Sequence, residues 1–314
     1  MATDTIYRDH APLFVLRACR KTGVIDALLS GTTDPAGISE ETGITDRAAE
    51  IVLPTLAHLG YVERVDGEYR STERLEVFDP ETPVAERTIL PHRLDILENY
   101  LQLPEIMRTG EYPEPARDEL ENYVGGMATI DESVVRAAVT ETQHVHPRPD
   151  RVLDVGGSIG RFAREFAHRG SDVTLLDSPP VIDIVRPYLE DTDVELLAGD
   201  ALDSLPAGFD VAFCGRLTVS FSPAENQQVF ENLYDAVEPG GTVACMEFVR
   251  DRSATGPLFG AHMLAMSGTG NTHTAAQYRE WLTDAGFIHP AVRDIPAIDF
   301  KLIVGHRPES ATNG

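Results

Sequence analysis

The sequence predicts an α/β protein in which a doubly wound parallel sheet follows an α-rich N-terminal region. A mostly apolar segment, residues 152–155, runs directly into closely spaced glycines, as a buried strand followed by a tight turn would. Apolar residues then recur at helical spacing over residues 162–167. Strand and helix patterns alternate through the rest of the chain, which is typical of a parallel sheet covered by helices.

The strands of this sheet follow from apolar runs and from the turn residues between them. Their expected bounds are 151–155, 172–176, 193–197, 209–214, 242–248, 288–294 and 298–304.

The N-terminal region has its own pattern. Residues 10–30 present a wide apolar face and are expected to form one helix. Short helices are expected near Ile38 and Thr45, with Asp46 as N-cap. A further helix is expected to end at Gly60, and a hairpin to turn at Asp66-Gly67. A helix–turn–helix followed by a two-stranded wing predicts a winged helix.

The second predicted strand of the sheet ends in Asp177. A carboxylate at this place can accept hydrogen bonds from the ribose hydroxyls of a nucleotide bound over the glycine turn. The alternative is a helix cap, since Ser178 and two prolines open the next helix. We favour ribose binding because the whole spacing agrees with it.

Four motifs together carry a resemblance. They are DVGGSIG (154–160), the acid Asp177, the pair Gly199-Asp200 and EPGG (238–241). The chain resembles the class I S-adenosyl-L-methionine (SAM) methyltransferases. Within them it resembles the small-molecule O-methyltransferases with an N-terminal winged-helix dimerisation domain, which include plant caffeate-type and bacterial polyketide enzymes. An NAD-binding Rossmann domain shares the glycine turn and the acid, but is not expected to carry the other two motifs at these distances.

The resemblance implies a Rossmann-like SAM-binding catalytic domain over residues 148–314 with an antiparallel hairpin at the end of its sheet. A winged-helix dimerisation domain is implied over residues 1–80, and a helical connector that lines the acceptor pocket over residues 81–147. It also implies a homodimer and a small-molecule acceptor. The implied cofactor-binding residues are Asp154, Gly156, Gly157, Asp177 for the ribose, Asp200 and Ala201 for the adenine, and Gly215 and Arg216 near the methionine end.

The residues that connect the domains, 79–147, are rich in proline, so their helices are expected to be short and interrupted. These prolines include Pro80, Pro83, Pro91, Pro104, Pro113 and Pro115. Candidate wall residues of the acceptor pocket are His92, Tyr100, Tyr123, Met127 and Met263.

At one position the chain departs from the pattern it resembles. After the strand that ends near Cys214, the family usually has a histidine that takes the proton from the acceptor hydroxyl. Alignment of Ser222-Pro223 and Glu225-Asn226 puts Val219 in that place. Valine cannot carry a proton, so proton removal must be achieved in another way.

Three interpretations remain open. Transfer to an acidic phenol or enol can proceed by positioning alone, since alignment supplies much of the rate and a general base adds only about 10²–10⁴-fold. Another residue can replace the base, with His262 ranked first and Glu247 and His273 as alternatives. The chain can also bind SAM without transferring methyl. The SAM motifs leave open whether methyl goes to oxygen, nitrogen or carbon.

The charge balance is unusual, with 51 acidic against 26 basic residues and a formal net charge of −25. Lys21 and Lys301 are the only lysines. Such a surface is expected in a salt-saturated cytoplasm, where salt screens the self-repulsion. We therefore expect a halophilic source and poor folding at low salt.

DNA binding by the winged helix is the less favoured function. Arg47, Arg64 and Arg70 lie among acidic residues, so no basic face is available for phosphates. No nucleic-acid partner is expected.

The cysteines and termini add further expectations. No Cys/His spacing predicts a metal site, and Cys214 and Cys245 lie in apolar strands, where they should be buried and reduced. No apolar run is long enough to cross a membrane, and the N-terminus lacks a signal pattern. A cytoplasmic location without a membrane partner is therefore expected.

Overall fold

The structure, a computed structural model, describes residues 10–112 and 116–310. The chain divides into two compact units, residues 1–97 and 98–314. Pro113 and Pro115 of the predicted connector lie outside the described residues. In the part of the chain that is described, no helix is both long and apolar enough to cross a membrane.

The N-terminal unit consists of helices followed by a hairpin. Its elements are α1 (Ala11–Lys21), α2 (Val24–Leu29), α3 (Pro35–Thr42), α4 (Asp46–His58), β1 (Val62–Val65), β2 (Glu68–Ser71) and α5 (Glu73–Glu76). The strands β1 and β2 pair antiparallel. The turn between them runs through Asp66 and Gly67, both at positive φ, which matches the two-residue turn expected for this dipeptide. The predicted hairpin is therefore confirmed.

The prediction of one helix over residues 10–30 is wrong. Helix α1 ends at Lys21, and α2 begins at Val24. Gly23 lies between them with a φ of 79°, a left-handed conformation that stops an α-helix and favours glycine. The apolar pattern continues across the break because both helices contribute to the same core, Leu16 from α1 and Ile25 from α2.

The cap of α4 also differs from the prediction. Thr45, and not Asp46, is the N-cap, and its hydroxyl accepts a hydrogen bond from the Ala48 amide at 3.2 Å. Asp46 is the first residue of the helix, and its carboxylate accepts a hydrogen bond from the Ser39 hydroxyl at 2.6 Å. An acid in the first turn still interacts favourably with the helix dipole.

The expectation of short, broken connector helices is wrong for α6 (Ile89–Thr109), which runs for 21 residues. Pro91 lies in its first turn, where no intrahelical N–H bond is lost. Pro104 lies inside the helix and removes one backbone hydrogen bond without ending it. Helices α7 (Arg117–Ala128) and α8 (Glu132–Val145) follow.

The rest of the C-terminal unit is a sheet with helices between its strands. The strands are β3 (Arg151–Val155), β4 (Asp172–Asp177), β5 (Val194–Ala198), β6 (Phe209–Gly215), β7 (Val237–Glu247), β8 (Ile288–Asp294) and β9 (Lys301–His306). The helices are α9 (Arg161–His168), α10 (Pro179–Leu189), α11 (Pro223–Ala236), α12 (Gly256–Met266) and α13 (Ala275–Asp284).

In the described residues this sheet has seven strands in the order β5-β4-β3-β6-β7-β9-β8. The strands β5, β4, β3, β6 and β7 pair in parallel, and β9 pairs antiparallel with both β7 and β8. The seven predicted strands and the antiparallel end hairpin are confirmed, but β7 begins at Val237 and not at residue 242, and β9 begins at Lys301 and not at residue 298. Cys214 and Cys245 lie side by side on β6 and β7, fully buried and unpaired by disulfide, as expected.

The strand order places a ligand site. From β3 the sheet extends through β4 in one direction and through β6 in the other. In such a sheet the loops after these neighbouring strands separate at their carboxyl ends and leave a crevice. The crevice is bordered by the ends of β3, β4 and β6, which carry the residues that the sequence singles out.

Candidate active site

The turn between β3 and α9 depends on glycine. Gly156 and Gly160 have φ values of 71° and 75°, where a side chain would be strained. Gly157 is constrained by space, because a Cβ there would lie 2.6 Å from Leu175 Cγ and 2.8 Å from Asp154 Oδ2. The backbone of the turn is therefore packed directly against β4 and left open on the crevice side.

Asp177 lies at the end of β4, beside this turn. Its Oδ2 accepts a hydrogen bond from the Ser158 amide at 2.9 Å, and its Oδ1 accepts one from the Ser178 amide at 2.7 Å. Burial raises the pKa of Asp177, and these donors oppose the rise. Ser178 is the N-cap residue of α10, with no side-chain cap bond. Asp177 thus joins the glycine turn to the tip of β4, and each of its oxygens keeps a lone pair for a further donor.

Asp154 is fully buried beneath the turn. Among residues 10–112 and 116–310, neither of its carboxylate oxygens has a hydrogen-bond partner. Burial raises its pKa to about 7, although the field of the Ala163 amide acts in the opposite direction. Asp154 does not line the crevice, so its place is that of a buried support for the glycine turn.

Asp200 and Ala201 follow β5, next to the end of β4. The amide of Gly199 donates to the carbonyl of Asp177 at 2.9 Å, which links the two strand ends. Asp200 is exposed, and its Oδ1 accepts a hydrogen bond from the Leu202 amide at 2.9 Å. Ala201 is buried in the sheet core. The carboxylate of Asp200 is therefore held by its own loop and remains accessible to a ligand.

A cleft opens at the glycine turn. It is lined by Tyr123, Met127, Ile130, Gly156, Gly157, Ser158, Ile159, Arg161, Phe162, Gly215 and Arg216. Predicted residues from the ends of β3 and β6 thus meet in one cleft with two of the candidate wall residues, Tyr123 and Met127. The only charged residues in this lining are Arg161 and Arg216. Gly215 is required by space, since a Cβ there would lie 2.8 Å from the Phe162 ring.

Arg161 is a cleft residue that the motif reasoning missed. It begins α9 directly after the glycine turn, and its Nη2 donates to the Ile130 carbonyl at 3.0 Å. Its Nε is buried and has no partner among the described residues. A signal was present in the sequence, because a guanidinium directly after a phosphate- or cofactor-type glycine turn lies at a helix N-terminus, where anions bind.

Arg216 follows β6 with its backbone in the left-handed region, at a φ of 64°. Such a conformation costs energy in a residue other than glycine and often occurs at functional sites. Its Nη1 donates to the Met127 sulfur at 3.5 Å, and its guanidinium carbon lies 5.7 Å from the centre of the Phe259 ring. Its Nε is buried without a partner, and no carboxylate pairs with it in the described part of the chain.

Glu247 ends β7 and is fully buried. Its Oε1 accepts hydrogen bonds from the amide and the hydroxyl of Thr218, both at 2.7 Å. The Thr218 hydroxyl in turn lies 2.9 Å from the Tyr278 hydroxyl. Burial raises the pKa of Glu247 to about 7, while these donors and Arg216 lower it. This carboxyl therefore holds the 3₁₀ turn Thr218–Ser220, which contains Val219.

Val219 is buried at 2% exposure, and its carbonyl accepts a hydrogen bond from the Asn271 amide at 2.8 Å. The backbone of the loop 267–274 comes so close that a Cβ on Gly270 would lie 2.7 Å from this carbonyl. The turn and the loop are thus fixed against each other, and the side chain at position 219 supplies no titratable group.

His262 lies on α12, with its Nδ1 3.3 Å from the Tyr100 hydroxyl. Its ring centre is 5.2 Å from that of Phe259, the ring next to Arg216. Burial lowers the pKa of His262 and the nearby Arg216 lowers it further. The imidazole is therefore neutral at neutral pH and able to accept a proton.

His273 has a different environment. It is 1% exposed, and its Nε2 lies 3.0 Å from Asn226 Nδ2 and 3.3 Å from the Phe221 carbonyl. Its ring packs edge-on against Trp281. This histidine is part of the core that supports the turn, and it does not line the cleft.

Comparisons with known proteins identify the class. A family model described as an O-methyltransferase domain matches residues 109–288. The chain is 27% identical to the 3-hydroxy-5-methyl-1-naphthoate 3-O-methyltransferase of Streptomyces sahachiroi, over 86% of this chain and 84% of that protein. It is also 27% identical to the tetracenomycin polyketide synthesis 8-O-methyl transferase TcmO of Streptomyces glaucescens, over 90% of this chain and 89% of that protein.

Solved structures share the fold. PigF, solved with S-adenosylhomocysteine (SAH), superposes with a TM-score of 0.72 at 19% identity, over 98% of this chain and all of that one (100%). The architecture is therefore that of a methyltransferase with a Rossmann-like sheet. Because the family model spans more than half of the chain, the chain belongs to the family of SAM-dependent O-methyltransferases.

Proposed function

We propose that this protein transfers the methyl group of SAM to a phenolic or enolic hydroxyl of a small aromatic molecule. The observation that carries the proposal is the glycine turn bonded to Asp177 over a cleft whose charged lining is cationic. The curated relatives are named for a hydroxynaphthoate and a polyketide, which supports an aromatic acceptor. The raised acidity of such hydroxyls suits a site without a strong base.

The residues present fit SAM. Asp177 has free acceptor capacity for the ribose, and Asp200 has an accessible carboxylate for the adenine amino group. Gly156 and Gly157 line the cleft and would admit the methionine end, and the unpartnered Nε donors of Arg161 and Arg216 are available to its carboxylate. When bound, SAM supplies a sulfonium methyl group; the C–O bond forms as the S–C bond breaks, and SAH leaves.

Proton removal is assigned to His262. Its imidazole is neutral, is oriented by Tyr100 and lies beside Phe259, whose ring faces the cleft residue Arg216. Glu247 is the weaker candidate because its Oε1 is already occupied by both donors of Thr218. The proton of the acceptor hydroxyl would pass to His262 as the hydroxyl oxygen attacks, and then to solvent.

Two parts of the proposal concern organisation. The N-terminal helices and hairpin would form the dimerisation domain of a homodimer, with the boundaries near residues 80 and 147 that the sequence predicts. The two alternative functions, SAM binding without transfer and DNA regulation, are not favoured by any contact described above.

A methyl-transfer assay tests the proposal. Purified protein in molar potassium chloride is incubated with methyl-labelled SAM and a panel of phenols, naphthols and enols. We expect label in an acceptor, and a large loss in Asp177→Asn with little change in the matched control Asp183→Asn, an exposed acid on α10. Binding of SAM with no label in any acceptor would instead favour the non-transferring alternative.

A further inference from the structure

The cleft contains more positive charge than SAM requires. In a chain with 51 acids and 26 bases, the charged residues of its lining are Arg161 and Arg216. Each has a buried Nε without a partner in the described residues. A buried N–H group without an acceptor is costly, so each Nε calls for an acceptor atom from a ligand. The methionine end of SAM offers one carboxylate, which leaves one arginine unmatched.

The surroundings of the two arginines differ. Arg161 belongs to α9 and is continuous with the glycine turn, where the methionine end is proposed to lie. Arg216 contacts the Met127 sulfur and faces the Phe259 ring. Its charge affects the pKa values of Tyr123, Glu247 and His262. It therefore stands among the residues proposed for acceptor binding and proton removal.

The walls near Arg216 are suited to a flat aromatic ring. Phe259 packs against Phe248 at a centroid distance of 4.7 Å, and Phe248 stacks on Phe300 at 4.1 Å. Met127 adds a polarisable thioether, which favours contact with aromatic rings. A planar guanidinium beside such walls can form a bidentate pair of hydrogen bonds with a carboxylate. An aromatic ring that bears a carboxylate satisfies both features.

We propose that Arg216 binds the carboxylate of a hydroxylated aromatic acid, the acceptor, and that Arg161 binds the carboxylate of SAM. This inference rests on the proposed function and narrows its substrate class. In this proposal Arg161 contacts the methionine end of SAM, whereas the sequence predicts Arg216 for that contact. With Arg161 taken up by SAM, Arg216 is the cation of the cleft lining that remains for the acceptor. Its charge thus selects acids over neutral phenols.

Calorimetric titration of the SAH-saturated protein tests the acceptor assignment. The probes are 3-hydroxy-2-naphthoate and 6-hydroxy-2-naphthoate, each compared with 2-naphthol. The wild type should bind at least one naphthoate more tightly than 2-naphthol. Arg216→Met should reduce that preference by about tenfold or more, the scale of a hydrogen bond to a charged group, with Arg216→Lys intermediate. Arg164→Met, an exposed neighbour on α9, should leave it unchanged.

The binding of two nucleosides tests whether Arg161 contacts the carboxylate of SAM. Arg161→Met should weaken SAH binding by about tenfold but leave 5′-methylthioadenosine, which lacks the carboxylate, unaffected. Arg216→Met should change neither. Thermal unfolding in the same buffer establishes that each variant is folded. If Arg216→Met does not fold, Arg216→Lys replaces it in the titrations.

Two results overturn the inference. One is that Arg216→Met, and not Arg161→Met, loses SAH binding while it keeps methylthioadenosine binding. That result would show that Arg216 binds the carboxylate of SAM. The other is a wild type without preference for either naphthoate. Both differ from failure of the proposed function, in which the wild type would not bind SAH at all.

Discussion

Val219 is the residue at which the sequence predicts a departure from the family pattern, with a valine where a histidine is expected. The usual histidine would stand on the turn that Glu247 and Thr218 hold. That support is intact, so the turn keeps its shape while its side chain cannot accept a proton. His262 is the imidazole that we propose as the proton acceptor instead. It lies on α12, beside the Phe259 ring and within 3.3 Å of the Tyr100 hydroxyl.

His262→Gln should reduce kcat by about 10²–10⁴-fold if the imidazole accepts the proton. The pKa of His262 is lowered by burial and by Arg216. The wild-type rate should therefore be full at pH 7 and decline as the pH falls through a value below about 6.5, the ordinary histidine pKa. The measurement is kcat against pH, with His168→Gln, an exposed residue of α9, as control. A variant with an unchanged rate and profile would leave positioning alone as the explanation.

Much of this site could be predicted from local motifs. Gly156, Gly157 and Asp177 were identified because strand, turn and acid are close in sequence and their spacing has a physical basis. The role of Glu247 in holding Thr218, and the pairing of Tyr100 with His262, join residues far apart in the chain. Such contacts depend on packing, which a single sequence does not specify. Arg161 was missed although its place directly after the glycine turn was a signal, and its unpartnered Nε is evident only from the structure.

At the level of elements, the sheet followed from sequence more closely than the helices did. Buried parallel strands are apolar throughout and bounded by turns, so their positions were visible. The break at Gly23 was not, because both helices turn their apolar residues to one core. At Pro104 the sequence predicted a helix break that does not occur. The loss of one backbone hydrogen bond does not outweigh the packing of a long helix.

Gly23→Ala should destabilise the N-terminal unit by about 1–2 kcal/mol, the cost of a left-handed conformation for an ordinary residue. Space is not the cause, because an added Cβ would meet only Thr42 Cγ2 at 4.0 Å. Denaturant unfolding measures the change. Gly23→Asn should cost less, and Gly268→Ala, where φ is not positive and an added Cβ would meet only Tyr112 Cβ at 3.6 Å, should cost little. Equal effects of all three would contradict the helix break.

At the scale of the whole molecule, we expect the net charge of −25 to make stability depend on salt. Acids are spread along the chain, so their repulsion acts on the folded state as a whole. The two arginines of the cleft lining stand out against this background, and the proposal assigns both of them to the binding of carboxylates.

The melting temperature should rise as potassium chloride increases from about 0.1 M to about 1 M, where the Debye length falls from about 10 to about 3 Å. Neutralising the exposed acids Asp183, Glu190 and Glu280 should reduce the salt needed for a given melting temperature. Scanning calorimetry at several salt concentrations measures both. A melting temperature that is independent of salt would contradict the halophilic prediction.

Calorimetric titration with SAM in molar potassium chloride tests the central claim most directly. We expect one site per chain, and a loss of about 1.5–3 kcal/mol of binding free energy in Asp177→Asn, the scale of a hydrogen bond to a charged group. Asp183→Asn should bind like the wild type. Folded protein that does not bind SAM, or binding that Asp177→Asn leaves intact, would contradict the placement of the cofactor at the glycine turn.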